Sequence, residues 1–122
     1  MKIRIYYEDT DAGGIVYHTN YLKYCERARS ELFFSNGLVP FDGEKSGFVV
    51  RRVEANFLGS AKLGDIVEVK TELVQIKRVS ITLKQKILKG KKEIFNAYIT
   101  LAFIKNSKPS KIPEEFLTIF KI

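Results

Sequence analysis

In one long stretch of this chain, residues 20–36, the apolar residues repeat at a helical interval. Tyr21, Cys25, Ala28 and Leu32 fall at i, i+4, i+7 and i+11 and form one apolar stripe. Glu26, Arg27, Arg29, Ser30 and Glu31 take the remaining faces. Asn36-Gly37 supplies the stop, because glycine adopts the left-handed backbone that a helix end needs, and Pro40 follows. Thr19 or Asn20 suits the N-cap.

Around that helix the pattern is strand-like. Residues 2–7 alternate, with Ile3, Ile5 and Tyr7 on one side. Residues 48–57 form a strand with charges interleaved. Residues 66–76 align Val67, Val69, Thr71 and Leu73, and residues 79–88 align Val79, Ile81, Leu83 and Ile87. Lys89-Gly90-Lys91-Lys92 is a hairpin turn. Residues 93–105 are apolar on both faces: Phe95, Ala97, Ile99, Leu101 and Phe103 against Ile94, Tyr98, Ala102 and Ile104. That predicts a strand central to its sheet. Residues 105–113 read as a basic loop before a short tail with Phe116, Ile119 and Phe120.

One strand, one helix, then four strands is not the alternation of a doubly wound parallel sheet. It predicts an α+β fold in which an antiparallel sheet wraps around the helix. A single helix covers one sheet face, so the second apolar face of residues 93–105 predicts self-association.

At 122 residues the chain suits one domain, residues 1–122, that buries about two-thirds of its unfolded surface. No apolar run approaches the roughly 20 residues of a membrane span. The basic start runs straight into Glu8-Asp9-Thr10-Asp11 and lacks the apolar core of a signal peptide, so a cytoplasmic location is expected. One cysteine and one histidine exclude an internal disulfide and a Cys/His zinc site; no metal and no cofactor are expected. The net charge of +7 suits an anionic partner and equally suits solubility. The basic residues are scattered, without an aromatic–basic RNA-recognition motif, so no nucleic acid is expected.

Chemistry concentrates in residues 7–21, which hold Glu8, Asp9, Asp11, Gly13-Gly14 and the only histidine, His18, just ahead of the helix. The first turn of a helix offers unpaired N–H groups and the positive end of the dipole. Such amides polarise a carbonyl and hold the oxyanion formed on attack. A carboxylate upstream, on a glycine-flexed turn, can fold back toward the same carbonyl. The pattern points to acyl transfer or hydrolysis. Plainer roles stand beside it. Asp9 and Asp11 suit turn positions that accept backbone hydrogen bonds, His18 suits a cap or a packed ring, and Cys25 suits a buried inert thiol. No serine nucleophile elbow or phosphate loop is present.

The segment Asp9-Thr10-Asp11-Ala12-Gly13-Gly14 with Val16-Tyr17-His18 closely resembles the signature of the Tol–Pal-cluster acyl-CoA thioesterases, relatives of the 4-hydroxybenzoyl-CoA thioesterases. Cys25-Glu26-Arg27-Ala28-Arg29 resembles the family's helix and Phe48-Val49-Val50-Arg51 its second strand, so the resemblance spans nearly the whole chain. It implies a hotdog fold: a five-stranded antiparallel sheet around one long helix, dimerised edge to edge and often paired again into homotetramers. By position, Asp11 matches the catalytic carboxylate, the His18 amide the carbonyl polariser, and the His18 side chain a residue implicated in catalysis. The substrate implied is an acyl-CoA, with acyl carrier protein as a second donor.

On that footing, Tyr17, Tyr21, Val49 and Val50 are expected to line the acyl pocket. Arg51, Arg52, Lys62, Lys77 and Arg78 are expected to meet CoA phosphates across a subunit boundary. Three other readings are a non-catalytic hotdog module that binds acyl-CoA or acyl carrier protein, a nucleic-acid binder, and a hotdog dehydratase. The intact motif disfavours the first, the scattered basic residues the second, and the spacing of His and acid the third.

Overall fold

The computed structural model describes residues 1–120. The elements are β1 (Lys2–Arg4), a 3-10 turn (Tyr7–Asp9), α1 (Asn20–Phe34), β2 (Ser46–Phe57), β3 (Ile66–Ile76), β4 (Ser80–Lys89), β5 (Lys92–Lys105), β6 (Lys108–Pro109) and α2 (Glu114–Phe120). The strands form one sheet in the order β1-β3-β4-β5-β2, with β6 paired to β5, and every pairing is antiparallel. The expected hotdog arrangement, a curled antiparallel sheet around a long helix, is the one observed. None of the described helices is long and apolar enough to cross a membrane.

β5 lies between β4 and β2, as its two apolar faces require. Phe95, Ala97, Ile99, Leu101 and Phe103 are buried beside Ile81, Leu83 and Ile87 of β4. Tyr21, Cys25 and Ala28 of α1 are buried in the same core, and Leu32, the last residue of the stripe, is half-buried. At the helix end, Gly37 takes φ +72° and donates to the Phe34 carbonyl, while Leu38 N–H returns to Phe33.

The structure departs from the sequence reading in five places. The first strand leaves the sheet after Arg4; Ile5 stays buried, but Tyr7 turns out to solvent at the start of the 3-10 turn. Arg29, read as a polar-face residue, is buried: its Nη1 donates to Gln85 Oε1 at 2.9 Å. Gln85 in turn donates to the Cys25 carbonyl at 3.0 Å and to Thr71 Oγ1 at 2.9 Å, so β4 clasps the middle of α1.

The basic loop turns back at Asn106-Ser107, both with positive φ, and adds β6 to β5. Its tail becomes α2, whose Phe116 and Phe120 pack on Phe33 with ring centroids 5.8 and 5.9 Å away.

The outer face of β5 is only partly apolar surface. Ile94 is buried against Gly59 and Ala102 is buried as well, while Tyr98 and Thr100 occupy the middle, paired with Lys84 and Thr82 of β4. Exposed apolar residues collect instead on β2, the long edge strand, at Val49, Val50, Val53 and Phe57.

Candidate active site

The segment between the 3-10 turn and α1 folds as a tight hairpin that carries Asp11 on one arm and the helix start on the other. Thr10 and Val16 bridge, Asp11 N–H donates to the Ile15 carbonyl at 3.0 Å, and Gly14 N–H donates to the Asp11 carbonyl at 3.0 Å. Gly14 sits at φ +79°, which a glycine adopts without a Cβ penalty. The returning arm is held from outside, since Val16 N–H donates to the Ala61 carbonyl at 2.9 Å and Ile15 bridges to Lys62.

Asp9 is the structural carboxylate of the pair. Its Oδ2 accepts the Tyr6 N–H at 2.8 Å. Its carbonyl accepts both the Tyr17 N–H and the Asn20 side chain at 2.9 Å, which ties the hairpin to the first residue of α1.

Asp11 is differently placed. Its Oδ1 accepts the Gly13 N–H at 2.9 Å, and its Oδ2 makes no hydrogen bond among the described residues. The side chain lines an open cavity of about 560 Å³ with Tyr7, Thr10, Ala12, Gly14 and Leu63. One oxygen fixes the carboxylate at the border of the cleft, and the other is left free of hydrogen bonds.

The helix start is uncapped. Thr19 occupies the N-cap position without a side-chain hydrogen bond, and Asn20 spends its side chain on Asp9. Among the described residues, neither the His18 nor the Thr19 N–H has an acceptor. Free amides at the positive end of a 15-residue helix suit a developing oxyanion. The exposed His18 ring lies 4.7 Å from that of Tyr17 and 5.7 Å, edge to face, from that of Phe57.

The other expected site residues fall into separate patches of the single chain. Tyr17 is exposed beside His18, but Tyr21 is only 2% exposed. Its hydroxyl accepts the Ala61 N–H at 3.0 Å and its ring stacks on Phe95, so it supports the hairpin from within the core rather than lining the cleft. Burial pushes its phenol above the usual range. Val49 and Val50 are exposed on the β2 edge.

A β-bulge between Val50 and Arg52 turns Arg51 and Arg52 into one cavity of about 310 Å³ on the outer sheet face, shared with Lys77, Thr82 and Tyr98. Arg52 pairs there with Glu54. Arg78 is exposed in the next turn, its carbonyl accepting the Ile112 N–H at 3.0 Å. Lys62 stands apart from these, beside Ile15 and next to Leu63 of the Asp11 cavity. Cys25 is fully buried, and burial pushes its thiol up to about 12, which removes it as a nucleophile.

With this geometry in place, the relatives of the chain are informative. Residues 13–95 match the family model of the thioesterase superfamily. The chain belongs to that superfamily. It is 41% identical to the acyl-CoA thioesterase YbgC of Helicobacter pylori, over 95% of each chain. It is 33% identical to the acyl-CoA thioester hydrolase YbgC of Escherichia coli O6:H1, over 98% of this chain and 92% of that one. A solved probable thioesterase from Bartonella henselae superposes with a TM-score of 0.85 at 33% identity, over 93% of this chain and 97% of that one.

Within this thioesterase the matched stretch takes in the uncapped helix start, the bulge at Arg51 and the turn at Lys77-Arg78. It opens at Gly13, the residue whose N–H holds the Asp11 carboxylate. Sequence reading missed Phe57 and Leu63, which border His18 and Asp11. Neither has a periodic or motif signal, because each reaches the site through contacts distant in sequence.

Proposed function

We propose that this thioesterase hydrolyses acyl-CoA thioesters, with Asp11 as nucleophile or general base and the amide of His18 polarising the carbonyl. The observation that carries the proposal is the Asp11 carboxylate itself. One oxygen is tied to Gly13 and the residue borders an open cleft, on a hairpin whose far arm ends in unbonded helix-start amides.

In the nucleophilic route Asp11 adds to the thioester carbon and the CoA thiolate leaves. Water then cleaves the resulting mixed anhydride to free acid and carboxylate. In the general-base route Asp11 takes a proton from water, the hydroxide adds to the same carbon, and the tetrahedral adduct expels the thiolate. In both, negative charge grows on the carbonyl oxygen, where the His18 amide stabilises it. The His18 imidazole orients water or the leaving group.

The working form is a homodimer joined through β2 edges, paired again into a tetramer, with residues 1–122 acting as one catalytic domain in the cytoplasm. Support comes from β2 itself, an edge strand of 12 residues with Val49, Val50 and Val53 exposed. Such an edge explains why the expected pocket residues are scattered in one chain: Val49 and Val50 line the acyl site of the neighbouring subunit. Arg51, Lys62, Lys77 and Arg78 meet the phosphates of CoA, and the same basic surface suits an acidic acyl carrier protein as donor.

A panel of short, long and aromatic acyl-CoAs, with acyl carrier protein thioesters alongside, tests the reading by release of free thiol. Turnover of at least one acyl-CoA class is expected. Binding without thiol release across the whole panel contradicts it and favours a module that only carries acyl-CoA.

A further inference from the structure

We propose that Phe57 is a positioning residue for the His18 imidazole, holding the ring at the mouth of the thioester cleft; this rests on the reading that His18 takes part in hydrolysis. Among the described residues the imidazole makes no hydrogen bond. A histidine that works on a proton normally has its orientation set by a bond to the second ring nitrogen. In this chain two aromatic rings flank it instead, those of Tyr17 and Phe57.

The two rings differ in what holds them. Tyr17 precedes His18 on the loop that leads into α1, so it moves with the segment it would have to steady. Phe57 is the last residue of β2 and pairs in register with Phe95 of the central strand β5. Its ring packs on the fully buried Phe95 at 5.2 Å and on Tyr21 at 6.4 Å. Tyr21 lies on α1, three residues after His18, and stacks on Phe95 as well.

The core therefore holds the Phe57 ring from one side. The residue is still 49% exposed, and its ring meets that of His18 edge to face at 5.7 Å and 83°. A half-exposed phenylalanine at a strand end adds little to a core. Its placement makes sense as a wall against which a ring without hydrogen bonds is set edge to face. The next residues continue the same support: Leu58 and Gly59 N–H groups both donate to the Ile94 carbonyl, and Ala61 holds both Val16 and the Tyr21 hydroxyl. The wall and the hairpin are thus anchored to one scaffold.

The chain has a single histidine, so its imidazole C–H resonances identify themselves in a proton–carbon spectrum. The full chain is compared with Phe57→Leu, Phe57→Tyr and His18→Ala, reading those resonances together with kcat and KM for acyl-CoA hydrolysis. Loss of the ring in Phe57→Leu is expected to move the imidazole resonances. It should also lower kcat about tenfold at unchanged KM, a fraction of what a positioned acid–base group contributes. Phe57→Tyr keeps the ring and should restore both to within about twofold.

Resonances in Phe57→Leu that coincide with the wild type overturn the inference. So does an unchanged kcat in Phe57→Leu alongside an impaired His18→Ala. Full activity in His18→Ala defeats the underlying reading of His18, and the inference with it.

Discussion

The Gly13 N–H donates to Oδ1 of Asp11 across 2.9 Å, so the carboxylate that faces the cleft is aimed by the backbone of the turn that carries it. Gly13 is needed there for room rather than for backbone freedom. A Cβ at that position would stand 3.2 Å from the same oxygen, and the residue's φ lies outside the left-handed region.

Gly13→Ala should therefore leave folding intact and displace the carboxylate by a few tenths of an ångström. We expect kcat to fall on the order of tenfold, as small misplacements of reacting groups do, with the melting temperature unchanged. Steady-state kinetics and thermal unfolding of the same preparation check it. Full activity in this variant contradicts the aiming role.

Gln85→Leu tests the clasp between β4 and α1. Gln85 gives Arg29 its acceptor and binds the Cys25 carbonyl and Thr71. Burial already disfavours the charged form of Arg29. Leaving that guanidinium without its acceptor should cost about 1–3 kcal/mol in urea unfolding. Adding Arg29→Leu should recover part of the loss, because the orphaned charge is then removed. A double variant whose loss is the sum of the two singles contradicts the coupling.

Asp42 gives the loop after α1 an acid-sensitive latch. Its Oδ1 accepts the N–H groups of Glu44, Lys45 and Ser46 at 2.8, 2.9 and 3.1 Å. These bonds, Glu44 first, draw its carboxyl down to about 2. A folded value below the ordinary one means the fold favours the ionised form. The stabilisation is full above the unfolded value near 4 and is lost as pH falls through about 2. Asp42→Ala should thus be less stable than wild type at about pH 5, and the gap should close toward about pH 2. A gap of equal size at both ends contradicts the latch.

Much of this fold was legible from periodicity because its strands are long and half-buried. β3 (Ile66–Ile76) has the bounds that its alternating Val67, Val69, Thr71 and Leu73 imply, and α1 begins at Asn20 behind Thr19, one of the two caps that suit the sequence. α2 escaped notice because seven residues carry a single repeat, Phe116 and Phe120 at i and i+4. Arg29 was misread for a different reason. Helical spacing sets it off the apolar stripe, and the glutamine that makes its burial tolerable lies 56 residues away.

The site divides the same way. Asp11 and His18 stand in one local motif that sequence can display. The meeting of Arg51, Arg52 and Lys77 depends on a bulge, and that of His18 with Phe57 on strand pairing. Both are products of tertiary structure with no local signature.

The most direct measurement is kcat for acyl-CoA hydrolysis by Asp11→Asn, taken with its melting temperature. Asparagine keeps an oxygen for the Gly13 N–H and removes only the negative charge. The account predicts an unchanged melting temperature and a loss of about 10²–10⁴-fold in kcat. Turnover within about twofold of wild type would mean that another group supplies the chemistry.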